Sequence, residues 1–332
     1  NNYYSQTTPQ AYGVSGSITA RAKAFGLKTF ECSTWCVSTL FKTSREAIEY
    51  VRKNQKPAFL KIDTYRLMAH SKGDDDRQKE EVKKFEKIDL LNQLSLLSEY
   101  KLDFEKISSE IDKYVKEKLI STKKINYSEY VVDQLPRVIS MKSSLITNEK
   151  ISMVKALARA YRDQLMNKDA IFIGEDIADP YGGAFKVTKG FQETKPANVY
   201  STPISEAGLV GIAIGMNLVG EKTFAEIMFG DFVVNAMDQL VNNASKFHHM
   251  YGKQFSCDFV VRMPMGGRRG YGPTHSQSLE KLLLGIDNTA VVATSSLVDP
   301  RDLIELVSQL TCPTIIIENK TDYSSFLFEP IE

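Results

Sequence analysis

Residues 201–215, Ser-Thr-Pro-Ile-Ser-Glu-Ala-Gly-Leu-Val-Gly-Ile-Ala-Ile-Gly, constrain this chain more than any other stretch. An extended segment running to Pro203 turns tightly into a helix that starts at Glu206. Leu209, Val210, Ile212, Ala213 and Ile214 make that helix apolar almost all round, the pattern of a buried helix. Gly208, Gly211 and Gly215 each cost roughly 1 kcal/mol relative to alanine in a helix interior. Three such costs imply that another backbone or a ligand comes very close. One carboxylate, Glu206, stands at the mouth of this apolar helix. A carboxyl group there is either a partner of the helix dipole or a buried acid placed for chemistry.

Around this stretch, helical and strand patterns alternate. In the first block, from Asn1 to about Glu81, residues 15–26 read as a short helix stopped by Gly26. Leu27–Phe30 reads as a strand and 37–54 as an amphipathic helix. Pro57–Arg66 reads as a buried strand, and 67–81 as a polar, mobile loop. Residues 82–121 carry two packed helices with a break near Asp103, and 122–148, without a sustained period, make a linker. In the second block a helix at 149–167 precedes strands at Ala170–Glu175, Asn198–Ser201 and Thr223–Phe229. A helix at 231–250 and a strand at Phe259–Met263, ending at Pro264, come next. The glycine- and arginine-rich loop 265–273 leads to Thr274-His-Ser, and strand Ala290–Ala293, helix 299–309 and strand Thr314–Glu318 close the block. Strand and helix alternating in this way imply an α/β fold with parallel sheets wrapped by helices. In such a fold, ligands sit beyond the carboxyl ends of the strands. Glu206, Phe232 and His275 all fall just after strand ends.

The bulk numbers narrow the function classes. A chain of 332 residues suggests two domains. With 42 basic against 41 acidic residues, no net charge recommends nucleic acid or an anionic membrane as partner. No apolar run approaches the ~20 residues that span a bilayer, and no signal peptide is visible. Four scattered cysteines fit a reducing, cytoplasmic setting better than a disulfide framework. Cys32 and Cys36 lack the further ligands of a zinc set and read as packing cysteines. The adjacent His248 and His249 read as structural. Both ends of the chain look cut, as in a piece of a longer protein.

Three motifs, Thr-Pro-Ile-Ser-Glu-Ala-Gly (202–208), Ala-Glu-Ile-Met-Phe-Gly-Asp-Phe (225–232) and Thr-His-Ser-Gln-Ser (274–278), occur in order. Together they resemble the β part of the thiamine-diphosphate-dependent 2-oxoacid dehydrogenases, the decarboxylating components of the pyruvate and branched-chain complexes. The resemblance implies two doubly wound, parallel-sheet domains of the thiamine-diphosphate-binding type, the first incomplete. Residues 1–81 would be the C-terminal half of the diphosphate-binding, α-type domain, and 82–121 its helical tail. Residues 122–148 would be a linker and 149–332 the pyrimidine-binding, transketolase-like β-type domain, a natural α–β fusion.

The resemblance also assigns residues. Glu206 would contact the aminopyrimidine ring nitrogen opposite the amino group, Ile204 would make an apolar contact to the cofactor, and Phe232 would stack on the aminopyrimidine. Tyr65-Arg66-x-x-x-His70-Ser71 matches the α-part motif and His275-Ser276-Gln277 the β-part motif. Arg66, His70 and Ser71 would position phosphate and substrate, and His275 would supply a proton during acyl transfer to a lipoyl group, chemistry suited to an imidazole. Asn2 and Tyr4 would be Mg²⁺ ligands at the end of the family's cofactor motif, although two adjacent asparagines are otherwise a common turn signal. The family's Gly-Asp-Gly lies upstream of Asn1, so the metal site within these residues is incomplete. Ala69 stands where relatives often carry glycine or histidine, and Glu31–Cys36 departs from the usual Asp-Gly.

The expected function is therefore oxidative decarboxylation of a small 2-oxoacid, using thiamine diphosphate and Mg²⁺, with acyl transfer to a lipoyl-bearing acyltransferase component. A homo-oligomer with sites at domain or subunit interfaces is expected, and the isolated chain is expected to be inactive. An acetoin dehydrogenase or a transketolase-like enzyme with another acceptor is the enzymatic alternative. A non-catalytic scaffold with a degenerate site is the alternative of another class.

Overall fold

The computed structural model describes residues 8–70, 73, 75, 77–122 and 151–327. It divides into two compact units, Asn1–Lys124 and Ile125–Glu332.

The first unit holds two parallel strands, β1 (Lys28–Ser33) and β2 (Ala58–Asp63), paired in register from Lys28↔Ala58 to Ser33↔Asp63. Helix α1 (Ile18–Ala24) is capped by the Ser17 hydroxyl, which accepts from the Ala20 N–H, and stops before Gly26, whose φ of 74° few other residues tolerate. Helix α2 (Val37–Asn54) crosses between the strands. Strand β2 is half-buried throughout rather than buried, since each described strand has only one neighbour. The segment expected as two packed helices is three: α3 (Lys79–Ile88), α4 (Leu90–Ser95) and α5 (Ser98–Ser121). The breaks fall at Asp89, whose carboxylate caps α4 through the Asn92 N–H, and at Leu96–Leu97, whereas Asp103 lies inside α5. No residue of α5 is buried. Cys36 is exposed at the N-cap of α2, not packed.

The second unit is built on six parallel strands in the order β4-β3-β5-β6-β8-β7. They are β3 (Ile171–Glu175), β4 (Val199–Thr202), β5 (Thr223–Glu226), β6 (Val260–Met265), β7 (Ala290–Ala293) and β8 (Thr314–Asn319). The central strands read as continuous apolar runs because both sheet faces are covered. Ile171, Ile173, Ala225, Val261, Met263, Ile315 and Ile317 point into one core, with α7 (Glu206–Leu218). Phe172, Phe224, Val260 and Ile316 point into the other, with α6 (Met153–Asn167) and α9 (Pro300–Ser308). The even-numbered face also buries an ionic group. Arg262 donates to Glu226 through Nη1, and to Glu318 through Nη2 and through Nε at 2.8 Å, while Tyr161 and Tyr323 donate to Glu318 at 2.7 and 2.6 Å.

Two expectations for this unit change. Strand β6 continues through Pro264 to Met265, and β5 stops at Glu226. The helix expected at 231–250 is not one α-helix: Gly230–Ala236 winds as a 3₁₀-helix, Gln239–Ala244 as a π-helix, and only Ser245–Met250 (α8) returns to α. The Asn243 side-chain amide donates to the Asp238 carbonyl at 3.2 Å, drawing that acceptor out of the regular ladder.

Candidate active site

The sheet order places a reversal at β3: the chain steps to β4 at one edge, then returns to β5 on the other side. Such a switch point opens a crevice at the carboxyl ends of the strands, and Glu206 follows β4 at this place. Its helix is capped by Ser205, whose hydroxyl accepts from the Gly208 N–H at 3.2 Å. The Glu206 carboxylate is therefore not needed as a cap. It is 8% exposed and accepts instead from the Asn235 side-chain amide at 3.2 Å.

A second carboxylate, Glu175 at the end of β3, was not singled out by sequence reasoning, although the end of a buried strand was a signal for it. It is buried and accepts from the Ser205 N–H at 2.9 Å. Burial, then the neighbouring Glu206, raise the Glu175 carboxyl above the usual glutamate range, with the Ser205 N–H opposing. At the end of β4 the Thr202 hydroxyl is buried with no hydrogen-bond partner among the described residues. Ile204 lies between Thr202 and Glu206 and is 81% exposed, an apolar side chain presented outward.

Among the described residues, the glycines of α7 meet no second backbone. A Cβ on Gly208 would crowd only the Ser205 hydroxyl, one on Gly211 would touch Gln239 at ordinary distance, and one on Gly215 would meet open space. The helix is correspondingly buried on one side only, with Ile212 half exposed.

The other two motif residues meet each other. Phe232, in the 3₁₀ turn after β5, stands edge-on to His275 with ring centroids 5.1 Å apart, and Phe229 contacts the same imidazole at 4.9 Å. His275 is half-buried, and its Nδ1 lies 3.0 Å from the Thr274 hydroxyl. Gly230 is required in the intervening turn because a Cβ there would lie 2.7 Å from the Met265 side chain. Sequence reasoning also missed Asn235, Asp231 and Lys320, whose charges or amides reach this site only through tertiary contacts.

In the first unit, Arg66 follows β2 and donates to the Met68 carbonyl at 3.0 Å, and His70 is exposed in the loop beyond. That loop is held by Arg77, which is 9% exposed and donates to the carbonyls of Arg66, Leu67 and Met68 and to Asp75. Tyr65 stacks on Phe85 with centroids 3.8 Å apart. Asn2, Tyr4 and Ser71 lie outside the described residues. Among the described residues, no group of three or more His, Cys, Asp or Glu side chains could hold a metal ion. None of the described helices is long and apolar enough to cross a membrane.

Residues 149–325 match the family described as "Transketolase, pyrimidine binding domain", and residues 1–129 the family "Dehydrogenase E1 component". The chain belongs to the transketolase-type pyrimidine-binding family. The second match, over the first 129 residues, makes that part similar to the E1 components of dehydrogenases. The chain is 35% identical to the pyruvate dehydrogenase E1 component subunit beta of Rickettsia bellii, over 52% of this chain and 54% of that one. It is 33% identical to the 2-oxoisovalerate dehydrogenase subunit beta of Pseudomonas aeruginosa, over 54% and 51%. It is 32% identical to the acetoin:2,6-dichlorophenolindophenol oxidoreductase subunit beta of Bacillus subtilis, over 57% and 56%. The chain thus spans about half the length of the curated relatives it matches. The parallel α/β architecture of both units agrees with this membership.

The aminopyrimidine half of thiamine diphosphate fits the residues of this pyrimidine-binding-type unit. They offer a buried carboxylate held by one amide, a buried hydroxyl with no hydrogen-bond partner among the described residues, an outward-facing Ile204 and a half-buried Phe232.

Proposed function

We infer that this chain forms part of an enzyme that oxidatively decarboxylates a small 2-oxoacid and passes the acyl group to a lipoyl-bearing acyltransferase partner. The observation that carries this reading is the buried Glu206 carboxylate at the switch point, oriented by Asn235 and freed from capping by Ser205. Bound thiamine diphosphate would supply the electron sink for loss of CO₂. Glu206 would donate to or accept from the aminopyrimidine ring nitrogen, and Glu175, which accepts from the Ser205 N–H, would hold the cap of the helix that presents it. Ile204 and Phe232 would offer apolar contacts to the ring. His275, poised between Phe229 and Phe232, would move a proton to or from the reacting oxygen or the accepting sulfur.

Arg66, His70 and Ser71 would serve phosphate and substrate, and Asn2 and Tyr4 the Mg²⁺ ion, by their match to the family motifs. Boundaries near residues 81, 121 and 148 and a homo-oligomeric assembly in a reducing compartment complete the proposal. The relatives' names span pyruvate, 2-oxoisovalerate and acetoin, which supports a small keto substrate without choosing among them.

The test is Glu206→Gln in the intact protein, which keeps the shape but cannot exchange the proton. Decarboxylation of pyruvate and 2-oxoisovalerate, read with an artificial electron acceptor, should fall by at least ~100-fold, the low end of acid–base contributions. A variant that retains more than half of the activity would sink the assignment. Turnover of acetoin but of neither 2-oxoacid would favour the other branch of the family.

A further inference from the structure

Lys320 is the first residue after β8, and its side chain is completely buried. A buried ammonium needs strong compensation, and the compensation here converges on the loop that carries His275. The Lys320 Nζ donates to the His275 carbonyl and lies 3.9 Å from Asp231 Oδ2. It sits over the ring of Phe229 at 5.0 Å and that of Tyr271 at 5.7 Å. Asp231, itself buried after β5, uses Oδ1 to accept the Gln277 N–H at 2.9 Å, while Oδ2 has no hydrogen-bond partner among the described residues. The cation therefore holds the first residue of His275-Ser276-Gln277 and its counter-ion holds the last. The backbone of Lys320 joins in, since its carbonyl accepts from Arg269 Nη1 at 2.9 Å at the near end of the same loop. Gly266 N–H closes the loop base by donating to the Gln277 carbonyl at 3.1 Å.

Local contacts alone hold His275 weakly: its Nδ1 meets the exposed Thr274 hydroxyl at 3.0 Å, and its N–H donates to the Gly272 carbonyl at 3.3 Å. Burial lowers the Lys320 ammonium from its usual range, with Asp231 opposing. An apolar side chain of similar length would cost less to bury.

We propose that the buried Lys320–Asp231 pair is a positioning device that fixes the His275 loop, and through it the imidazole, against Phe229 and Phe232. Lys320 does not touch the reacting atoms in this account. The inference rests on the reading of His275 given under the proposed function, and it separates from that reading in the test.

The experiment compares the intact protein with its Lys320→Met and Lys320→Arg variants by amide hydrogen exchange and by steady-state kinetics. Lys320→Met should speed exchange of the Gly266 and Gln277 amides by about tenfold or more, with strands β6 and β8 unchanged. Its kcat should fall at least about tenfold while KM for the 2-oxoacid stays within about twofold, because misplacement of one group affects the transition state more than binding. Lys320→Arg, which keeps a cationic donor, should restore part of both. If Lys320→Met does not fold, Asp231→Asn, which removes the counter-charge but keeps an acceptor for Gln277, should show the same faster exchange and lower kcat. Unchanged loop exchange in the variant that folds overturns the proposal. So does faster exchange with unchanged kcat, which would make the pair structural only. A parent protein that turns over no keto substrate would refute the functional reading, and the exchange comparison would still decide whether the pair holds the loop.

Discussion

Glu175 accepts the backbone N–H of Ser205 at 2.9 Å, tying the end of β3 to the cap of the helix that carries Glu206. Two carboxylates from separate strand ends are thereby held in one crevice, where burial, then the neighbouring Glu206, raise the Glu175 carboxyl above its usual range.

This has a consequence for stability. The folded-state value of Glu175 is raised, so its contribution is fully present below the ordinary glutamate value of about 4.3 and is lost as pH rises through the raised value. Glu175→Gln, which cannot ionise, should therefore melt higher relative to the parent at pH 7 than at pH 4. Thermal unfolding at the two pH values checks this. The same difference in Tm at both would show that Glu175 is not strained by ionisation.

Ile204 separates a functional contact from a structural one. It is 81% exposed, so Ile204→Ala should change stability by no more than about 0.5 kcal/mol. As a contact to the aminopyrimidine it should nonetheless weaken thiamine diphosphate binding in the intact protein, by about tenfold for a lost apolar contact of about 1.4 kcal/mol. Titration calorimetry with saturating Mg²⁺ measures this, and an unchanged Kd would remove Ile204 from the site.

The buried Arg262–Glu226–Glu318 group makes a prediction of the opposite kind. Burial raises the Glu226 carboxyl, whereas Arg262 overcomes burial and holds Glu318 low. Arg262→Met would leave Glu318 buried without its cation and should cost about 3–5 kcal/mol. Adding Glu318→Gln should recover part of that loss. Denaturant unfolding of both variants would test it, and a single variant as stable as the parent would contradict it.

Cys36 should be the most reactive thiol among the four. Hydrogen bonds from the Ser38 and Thr39 side chains lower it to about 7, whereas burial pushes Cys257 up to about 12. Alkylation followed by mass spectrometry should modify Cys36 first, with a midpoint near neutral pH, and Ser38→Ala should shift that midpoint upward. Preferential labelling of Cys257 in the folded protein would overturn the assignment.

Local pattern was enough for the presence of the six strands of the second unit and for the three motifs. The apolar runs beginning at Ala170, Thr223, Phe259 and Thr314 are continuous because both faces of a central parallel strand are buried, so burial writes itself into consecutive residues. Glu206, Phe232 and His275 could be found in the same way, since each follows such a run. Local pattern failed where side chains compete with the backbone ladder: the Asn243 amide takes the Asp238 carbonyl at the π turn within 231–250, and Asp89 split the tail earlier than its periodicity suggested.

What only the tertiary structure decided is which residues meet. The strand order β4-β3-β5-β6-β8-β7 sets Glu175 beside Glu206 and brings Lys320 to the His275 carbonyl and Asp231 to the Gln277 N–H. It also decided that, among the described residues, Gly208, Gly211 and Gly215 meet no second backbone. Hydrophobic period reports whether a residue is buried, not against what, because a strand's neighbours are chosen by non-local pairing among many segments of equal apolarity. The buried acid and the loop histidine were therefore visible from the chain alone, while the partners that orient them were not.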